Sequence, residues 1–327
     1  MAILNEKLVK LTELLSDGSY HDGTSLGGTL GITRAGVWKL FKKLEGYGVT
    51  LSSLKGKGYC LKNPIALLDR NKIKSALKVT VPHLDVLEKV TSTNDYFKDV
   101  ARSSNKEVSV CLSETQTKGR GRYLRSWYSP FGQNIYLSVL YPFEKDISEL
   151  SGLSLIVGLS LFDALKELIQ EKADLLKVKW PNDILIKEEK LAGILIDIKA
   201  QSNGYCEAVI GIGLNVNMTK EKGGEVDQPW TSLKETFHKT FDRSNLAALM
   251  LNSLFKHLEL FSKNGLSFFK EEWKNVDYLY NKKSVLVIGD KTQTGIGAGI
   301  NDLGHFLLKI EDGRLLSFSS GDAKILR

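Results

Sequence analysis

The spacing of apolar residues changes twice along this chain, and any fold it adopts must accommodate both changes. Up to about residue 47 the apolar residues recur at helical spacing. From about 80 to 270, strand-length apolar runs alternate with long helical patterns, and from about 276 only short strand-like runs remain. A helical stripe and a two-edged strand bury their apolar surface in different ways. At 327 residues the chain is also long for one core. The expected fold class is α+β in three units: 1–63, 64–275 and 276–327.

In the first unit Leu4, Leu8, Leu11 and Leu15 lie on one helical face. Leu26 and Leu30 belong to a short second helix, Gly31-Ile32 make a turn, and Thr33 caps a third helix. There Val37, Leu40, Phe41, Leu44 and Tyr47 face inward, while Arg34, Lys39, Lys42 and Lys43 point elsewhere. Two short extended runs come next, around the basic turn Lys55-Gly56-Lys57-Gly58. This order describes a winged helix-turn-helix, with its basic helix in a major groove and its wing on phosphate. Nine Lys/Arg against five Asp/Glu give this segment +4 of the chain's net +7. A helical interaction domain with a solvated basic face would show the same charge. DNA contacts are expected from Thr33, Arg34, Lys39, Lys42, Lys43, Lys55 and Lys57.

The stretch 62–77 reads as a linker and the start of a second unit. Candidate strands beyond it are VSVCLSE, NIYLSVLY, LLKVKW, DILIK, KLAGILIDIK and CEAVIGIGLNVNM, with KEEK as a hairpin turn. Residues 147–172 read as one buried helix, and NLAALMLNSLFKHLELFSKNG as another. In the last unit SVLVIGD, TGIGAGI, FLLKI and RLLSFSS are short strands joined by Gly289-Asp290, Asn301-Asp302 and Asp312-Gly313, a compact all-β barrel.

Several classes are excluded. Cys60, Cys111 and Cys206 are too few and too dispersed for a disulfide framework, which fits a reducing, cytoplasmic location. The five histidines show no metal-ligand spacing. The first residues carry charges through their apolar positions, unlike a signal peptide. The longest apolar run, Gly152–Phe162, is too short to span a bilayer, so no membrane partner is expected.

The chemistry concentrates in three stretches. In KGRGRYLRSW, Lys118, Arg120, Arg122 and Arg125 crowd into eight residues with Gly119 and Gly121 between them. Arginine forks suit phosphate and carboxylate, and glycines let backbone approach an anion. No G-x-x-x-x-G-K-[ST] is present, so this is not a P-loop; a solvated nucleic-acid-binding loop is the alternative. In KVKWPNDILIKEEKLAGILID, Lys179, Asn182 and Asp183 surround Trp180-Pro181, Lys190 opens the next strand, and Gly193 leaves room beside it. Ser92, Thr93 and Asn94 sit at a helix start. Taken singly, these are also a structural turn, a surface charge and a helix cap.

In this order STN, TKGRGRYLRSW, SPFGQNIYLS, KWPNDI, KLAGILI and GIGLNVN resemble the biotin–protein ligases. With the terminal units the resemblance covers essentially the whole chain, and it looks like the bifunctional bacterial form that also represses biotin synthesis genes. The resemblance implies a central α/β ligase domain with a mixed sheet and a C-terminal SH3-like barrel. It implies two steps: biotin and Mg²⁺-ATP give biotinyl-5′-AMP and pyrophosphate, then a lysine of a biotin carboxyl carrier protein takes the biotinyl group and releases AMP. Carried over residue by residue, Arg122 bridges carboxylate and phosphate, Lys190 faces the acyl phosphate, and Asp183 meets Mg²⁺ or orients the amine. Biotin is placed among Ser92, Thr93, Asn94, Gln116, Arg120, Gly121, Arg122, Trp127, Lys190 and Gly193. The adenylate is placed among Arg120, Arg122, Lys179, Asn182, Asn215 and Trp230. The adenylate as corepressor, a ligand-promoted homodimer and operator DNA complete the implied partners. A lipoate-type ligase and a catalytically silent ligand sensor are the rival readings. One departure stands out: many bacterial relatives have Arg-Gly where this chain has Tyr123-Leu124, which lowers backbone freedom in the loop.

Overall fold

The computed structural model describes residues 3–99, 107–201, 204–220, 226 and 228–326. Helix α1 (Glu6–Leu15) begins where Asn5 accepts the Lys7 amide, and it buries Leu8, Leu11 and Leu15. Helix α2 (Gly23–Leu30) is capped by Asp22, and α3 (Arg34–Gly46) by Thr33, whose hydroxyl oxygen accepts the Gly36 amide. On α3, Val37, Phe41 and Leu44 are buried, with Leu40 and Tyr47 half-buried beside them. Strands β1 (Leu51–Leu54) and β2 (Gly58–Leu61) pair antiparallel, with the Lys55–Lys57 tip exposed.

This unit is joined firmly to the central region of the chain. Ile3 bridges Leu87 at the edge of the central sheet. Lys43 reaches buried Glu88 at 2.6 Å, Tyr47 donates its hydroxyl to the same carboxylate, and the Tyr47 ring stacks on Phe131 with centroids 4.2 Å apart. The stretch expected to be a linker is instead interior: Ile65, Leu67 and Leu68 are buried. Its backbone is held by the buried Arg243–Glu114 pair, Arg243 donating to the Ala66 carbonyl and Glu114 accepting the Leu68 amide. Apolar side chains at alternate steps of an extended segment drove it inward, and the pair satisfies the polar groups this buried.

The central sheet is built from β3 (His83–Leu87), β4 (Ser109–Ser113), β5 (Ile135–Phe143), β6 (Leu176–Lys179), β7 (Asp183–Ile186), β8 (Glu189–Gln201) and β9 (Tyr205–Leu214). Their order is β3-β4-β5-β9-β8-β7-β6. Only β3 and β4 run parallel, so the sheet is mixed. Strand β3 was not among the sequence-derived strands. Helices α4 (Arg70–Ala76), α5 (Thr93–Asp99), α6 (Leu153–Ile169), α7 (Leu233–Phe237), α8 (Arg243–Asn264) and α9 (Lys270–Val276) complete this region. Ile194 on β8 lies near Gly158 of α6, so the helix face of the sheet takes the even positions there. Gly193, Gly211 and Gly213, one residue out of phase, face the other side.

The single helix expected over 147–172 is broken. Ile147–Leu150 forms a 3-10 turn, and α6 starts only after Gly152, whose φ of 80° is left-handed. A side chain at Gly152 would also strike Leu266, so close packing of the α8–α9 connection set this break. After α9, strands β10 (Lys283–Ile288), β11 (Lys291–Ile300), β12 (Phe306–Lys309), β13 (Leu315–Phe318) and β14 (Asp322–Ile325) form an antiparallel sheet in the order β13-β12-β11-β10-β14. It docks on the turn before β7, where the Trp180 indole donates to the Gly304 carbonyl and stacks on Phe306. The three cysteines are buried, and none is joined in a disulfide. Among the described residues no helix is long and apolar enough to cross a membrane.

Candidate active site

A cavity opens on the glycine side of the central sheet. Its wall comes from the start of α5, the segment Gln116–Trp127, the β6–β7 turn, β8 and β9, with Gln228 and Gly321-Asp322 closing one side.

The floor depends on absent side chains. A Cβ on Gly211 would stand 2.1 Å from Asn94 Oδ1, and one on Gly213 would stand 2.5 Å from Trp127 Cε2. On Gly193 it would meet Trp127 Cζ3 at 3.0 Å. The glycines therefore let the Asn94 amide and the Trp127 ring lie directly on the sheet. Asn94 Nδ2 donates to the Leu195 carbonyl, and Ser138 Oγ lies 2.6 Å from Asn94 Oδ1 and 2.7 Å from Thr93 Oγ1. Gln116 accepts the Thr93 amide at 2.9 Å and donates to Ser129 Oγ at 3.0 Å. The result is an apolar indole plate rimmed by fixed amides and hydroxyls. The Trp127 indole nitrogen is itself buried without a hydrogen-bond partner among the described residues.

Five Lys/Arg and two Asp line the cavity, so it attracts anions. The five cations are not equivalent. Arg120 is spent on carboxylates, 2.7 Å from Asp197 and 3.0 Å from Asp95. Lys190 Nζ is 2.9 Å from Asp183 and 5.5 Å from the Trp127 ring. Arg125 meets Asp322 at 3.2 Å. Lys179 lies 3.8 Å from Asp322; burial pulls its pKa down, and Asp183 and Asp322 only partly restore it. Burial would raise Asp322, but Lys179 and Arg125 outweigh it and hold its carboxyl below the usual range. Arg122 alone of the five has no carboxylate partner among the described residues. Its guanidinium lies over the Tyr123 ring at 4.8 Å and donates to the Tyr123 hydroxyl at 3.1 Å, with longer contacts of 3.5 Å to Asn182 Oδ1 and 3.4 Å to the Gly321 carbonyl.

Of the residues the sequence singled out for ligands, Ser92, Thr93, Asn94, Gln116, Arg120, Gly121, Arg122, Trp127, Lys179, Asn182, Asp183, Lys190 and Gly193 line this one cavity. Asn215 and Trp230 are not in its lining. Asn215 Nδ2 donates to the Thr231 carbonyl, and Trp230 forms a parallel backbone bridge with Lys190. Both brace the strand that carries Lys190, because the buried backbone there needed partners. Sequence reasoning missed Gly211 and Gly213 as floor residues; the alternate glycines of GIGLN were the available signal. It also missed Tyr123, Gln228, Gly321 and Asp322 as lining. Nothing local in SSGDAK marks a residue that meets a loop almost two hundred positions earlier.

The Tyr123-Leu124 departure has a backbone consequence. Both residues are left-handed, at φ 54° and 59°, a region that costs an ordinary residue roughly 1–2 kcal/mol. Leu124 is fully exposed. Of the basic residues assigned to DNA, Arg34, Lys39, Lys42, Lys55 and Lys57 are exposed. Lys43 is turned from that surface to Glu88, since a buried carboxylate at the seam needs a cation, and the Thr33 side chain caps α3.

Comparison with known proteins fits this geometry. Residues 86–215 match the Biotin/lipoate A/B protein ligase family. The bifunctional ligase/repressor BirA of Escherichia coli is 37% identical over 97% of this chain and 96% of its own length. That of Bacillus subtilis is 27% identical over 93% and 94%. The biotin protein ligase of Aquifex aeolicus, solved with biotin and ATP, superposes with a TM-score of 0.62 at 28% identity, covering 75% of this chain and 99% of that one. The chain belongs to the biotin/lipoate protein ligase family. Within it, full-length similarity is to biotin ligases of the bifunctional ligase/repressor type.

Proposed function

We propose that the protein joins biotin to a biotin carboxyl carrier protein through biotinyl-5′-AMP, and that it represses transcription of biotin synthesis genes with that adenylate as corepressor. The observation that carries the ligase reading is the asymmetry of the cations: among the described residues Arg122 has no carboxylate partner, whereas Lys190 is paired with Asp183, and both line one cavity with the Trp127 indole. An apolar ring system with a polar ureido head suits that plate and its rim. The ureido group needs fixed partners, because a buried polar group left unpaired costs about 1–3 kcal/mol.

In the first step a biotin carboxylate oxygen attacks the α-phosphorus of ATP. The new P–O bond forms as the bond to pyrophosphate breaks. Two anions must meet, so Arg122 and Lys190 stabilise the approach and the charge that develops. Arg120, held by Asp95 and Asp197, fixes the loop's base so that Arg122 can swing. In the second step the ε-amine of a carrier lysine attacks the acyl carbon and AMP leaves. Asp183, already beside Lys190, orients that cation and lies where an incoming amine would shed its proton. Asp183 is also the residue that would meet a Mg²⁺ brought on the nucleotide, an ion that neutralises phosphate charge and keeps most of its ligands from water and phosphate. Its carboxylate, in the cavity with Asp322, is chemically suited to that.

The remaining assignments belong to the same reading. Residues 1–63 are a winged helix-turn-helix that places Arg34, Lys39 and Lys42 towards the major groove and Lys55 and Lys57 on phosphate. Residues 64–275 are the catalytic domain, and 276–327 an SH3-like barrel that closes the cavity through Gly321 and Asp322. A homodimer on a two-fold operator is expected, since ligand-dependent repression requires the adenylate to favour the DNA-competent state. Incubation with Mg-ATP, a carrier domain and either biotin or lipoate tests the ligase reading. Intact mass of the carrier should rise by one biotinyl group; a lipoyl adduct, or none with either acid, would overturn it.

A further inference from the structure

Away from the cavity, three helices bring together Asp163 of α6, His257 of α8 and Glu272 of α9. Their ligand atoms all lie within 4.8 Å of one another. We propose that these three side chains form a binding site for a divalent transition-metal cation, with zinc the best match, that ties α6, α8 and α9 together.

The His257 imidazole is buried, 3% exposed, and its ring stacks on Phe269 with centroids 5.7 Å apart. Nδ1 lies 2.9 Å from the Ser253 carbonyl oxygen, which can only accept, so Nδ1 carries the hydrogen. That leaves Nε2 as the acceptor in the neutral ring, and Nε2 faces two more acceptors. It is 3.5 Å from Asp163 Oδ2 and 3.8 Å from Glu272 Oε1. Three lone pairs converge and need a positive centre among them. A proton on Nε2 is one answer, but both separations exceed the roughly 2.7–2.9 Å of a charge-assisted hydrogen bond. Two ligands about 2.0–2.1 Å from a tetrahedral zinc stand roughly 3.4 Å apart, close to the two separations from Nε2, 3.5 and 3.8 Å.

The surroundings support a cation. Burial, then the neighbouring Glu272 carboxylate, raises the pKa of Asp163, while His257, Lys166 and Lys256 lower it. Burial pulls His257 down, yet Glu272, the Ser253 carbonyl and Asp163 more than offset it and leave it raised. An imidazole whose second nitrogen donates to a backbone carbonyl is the arrangement that fixes metal-binding histidines. One nitrogen and two carboxylate oxygens suit zinc, whereas Mg²⁺ prefers a full set of oxygens. The carboxylates are about two-fifths exposed, which leaves an entry path and a fourth position for water. Helix α6 lies far from α8 and α9 in sequence, and α9 is the last helix before the C-terminal strands. A cation held only in the folded state would therefore clamp the helix layer and stabilise it by mass action.

The test uses the full chain, stripped with EDTA and desalted, without biotin or nucleotide. Zinc chloride is titrated by calorimetry and its effect on Tm is recorded, with magnesium chloride in parallel. One equivalent of zinc should bind and raise Tm by several degrees, and magnesium at the same concentration should not. His257→Gln, Asp163→Asn and Glu272→Gln should each weaken zinc binding at least tenfold while leaving biotin ligation unchanged. The half-exposed Glu272 makes that variant the one safest for folding. Absence of zinc binding by the unaltered chain would overturn the proposal. So would zinc binding that survives undiminished in the Glu272→Gln and Asp163→Asn variants, which would place the ion elsewhere.

Discussion

Replacing Lys190 by methionine keeps most of the side chain's volume and removes its charge. The structure sets the size of the effect. At about 4 Å and an effective dielectric near 20, a unit charge and an arriving anion attract by roughly 4 kcal/mol. Asp183, 2.9 Å from the ammonium, already cancels part of that. A net loss on the order of 2–3 kcal/mol remains, or roughly 30- to 150-fold in rate at about 1.4 kcal/mol per factor of ten. Trp127 keeps its seat on Gly193 and Gly213, so the loss should fall mainly on kcat for pyrophosphate release, with KM for biotin changed little. Lys190→Arg should recover part of the rate. Initial rates of pyrophosphate release at saturating Mg-ATP, with biotin varied, separate the two parameters. A loss under fivefold, or one wholly in the biotin KM, would refute the role given to this charge.

Gly213→Ala should force Trp127 off the sheet, since the new methyl would sit 2.5 Å from Cε2. Overpacking of about 1–3 kcal/mol predicts biotin binding weakened roughly 5- to 150-fold by calorimetry. Lys43→Ala should lower stability by about 1–2 kcal/mol in urea unfolding, because it leaves buried Glu88 with Tyr47 alone, whereas Lys39→Ala should spare stability and weaken operator binding in a shift assay. Asp277 has its pKa raised to about 6 by burial, against hydrogen bonds from the Leu279 amide and the Trp273 indole. Between the ordinary aspartate value of 3.8 and about 6 the folded state then holds more protons than the unfolded one, so this group's contribution is fully present at low pH and is lost as pH rises through that window. Asp277→Asn should remove that component, on the order of 2 kcal/mol, from the difference in unfolding free energy measured with urea at pH 4 and pH 7.

The secondary elements with strong periodicity were legible, because each buries a face that its own residues define. Helices α1, α3 and α8 and the strands from β4 to β9 were of that kind. KEEK read as a turn, and there Lys187 and Glu188 both take positive φ. The elements that escaped are short or depend on others. Strand β3, HLDVL, gains its place from pairing with β4 and from the Ile3 bridge, and β14 from pairing with β10. The break at Gly152 is decided by Leu266, more than a hundred residues away. The same division runs through the site. Side chains chosen for charge, such as Arg122 and Lys190, announced themselves by type and order. Which cations are already neutralised was not readable, since Asp197, Asp183 and Asp322 reach them only through the fold. Lys43 shows the converse: on the helix its charge reads as part of a DNA-facing set, and only the seam with Glu88 shows where it goes.

If this cavity makes and retains a mixed anhydride, native mass spectrometry will detect it in the chain mixed with biotin and Mg-ATP, with no carrier protein present. The predicted spectrum shows a complex heavier than the free chain by one biotinyl-5′-AMP, with an equivalent of pyrophosphate in solution. Recovery of the protein with only intact biotin or ATP, and no pyrophosphate, would rule that chemistry out.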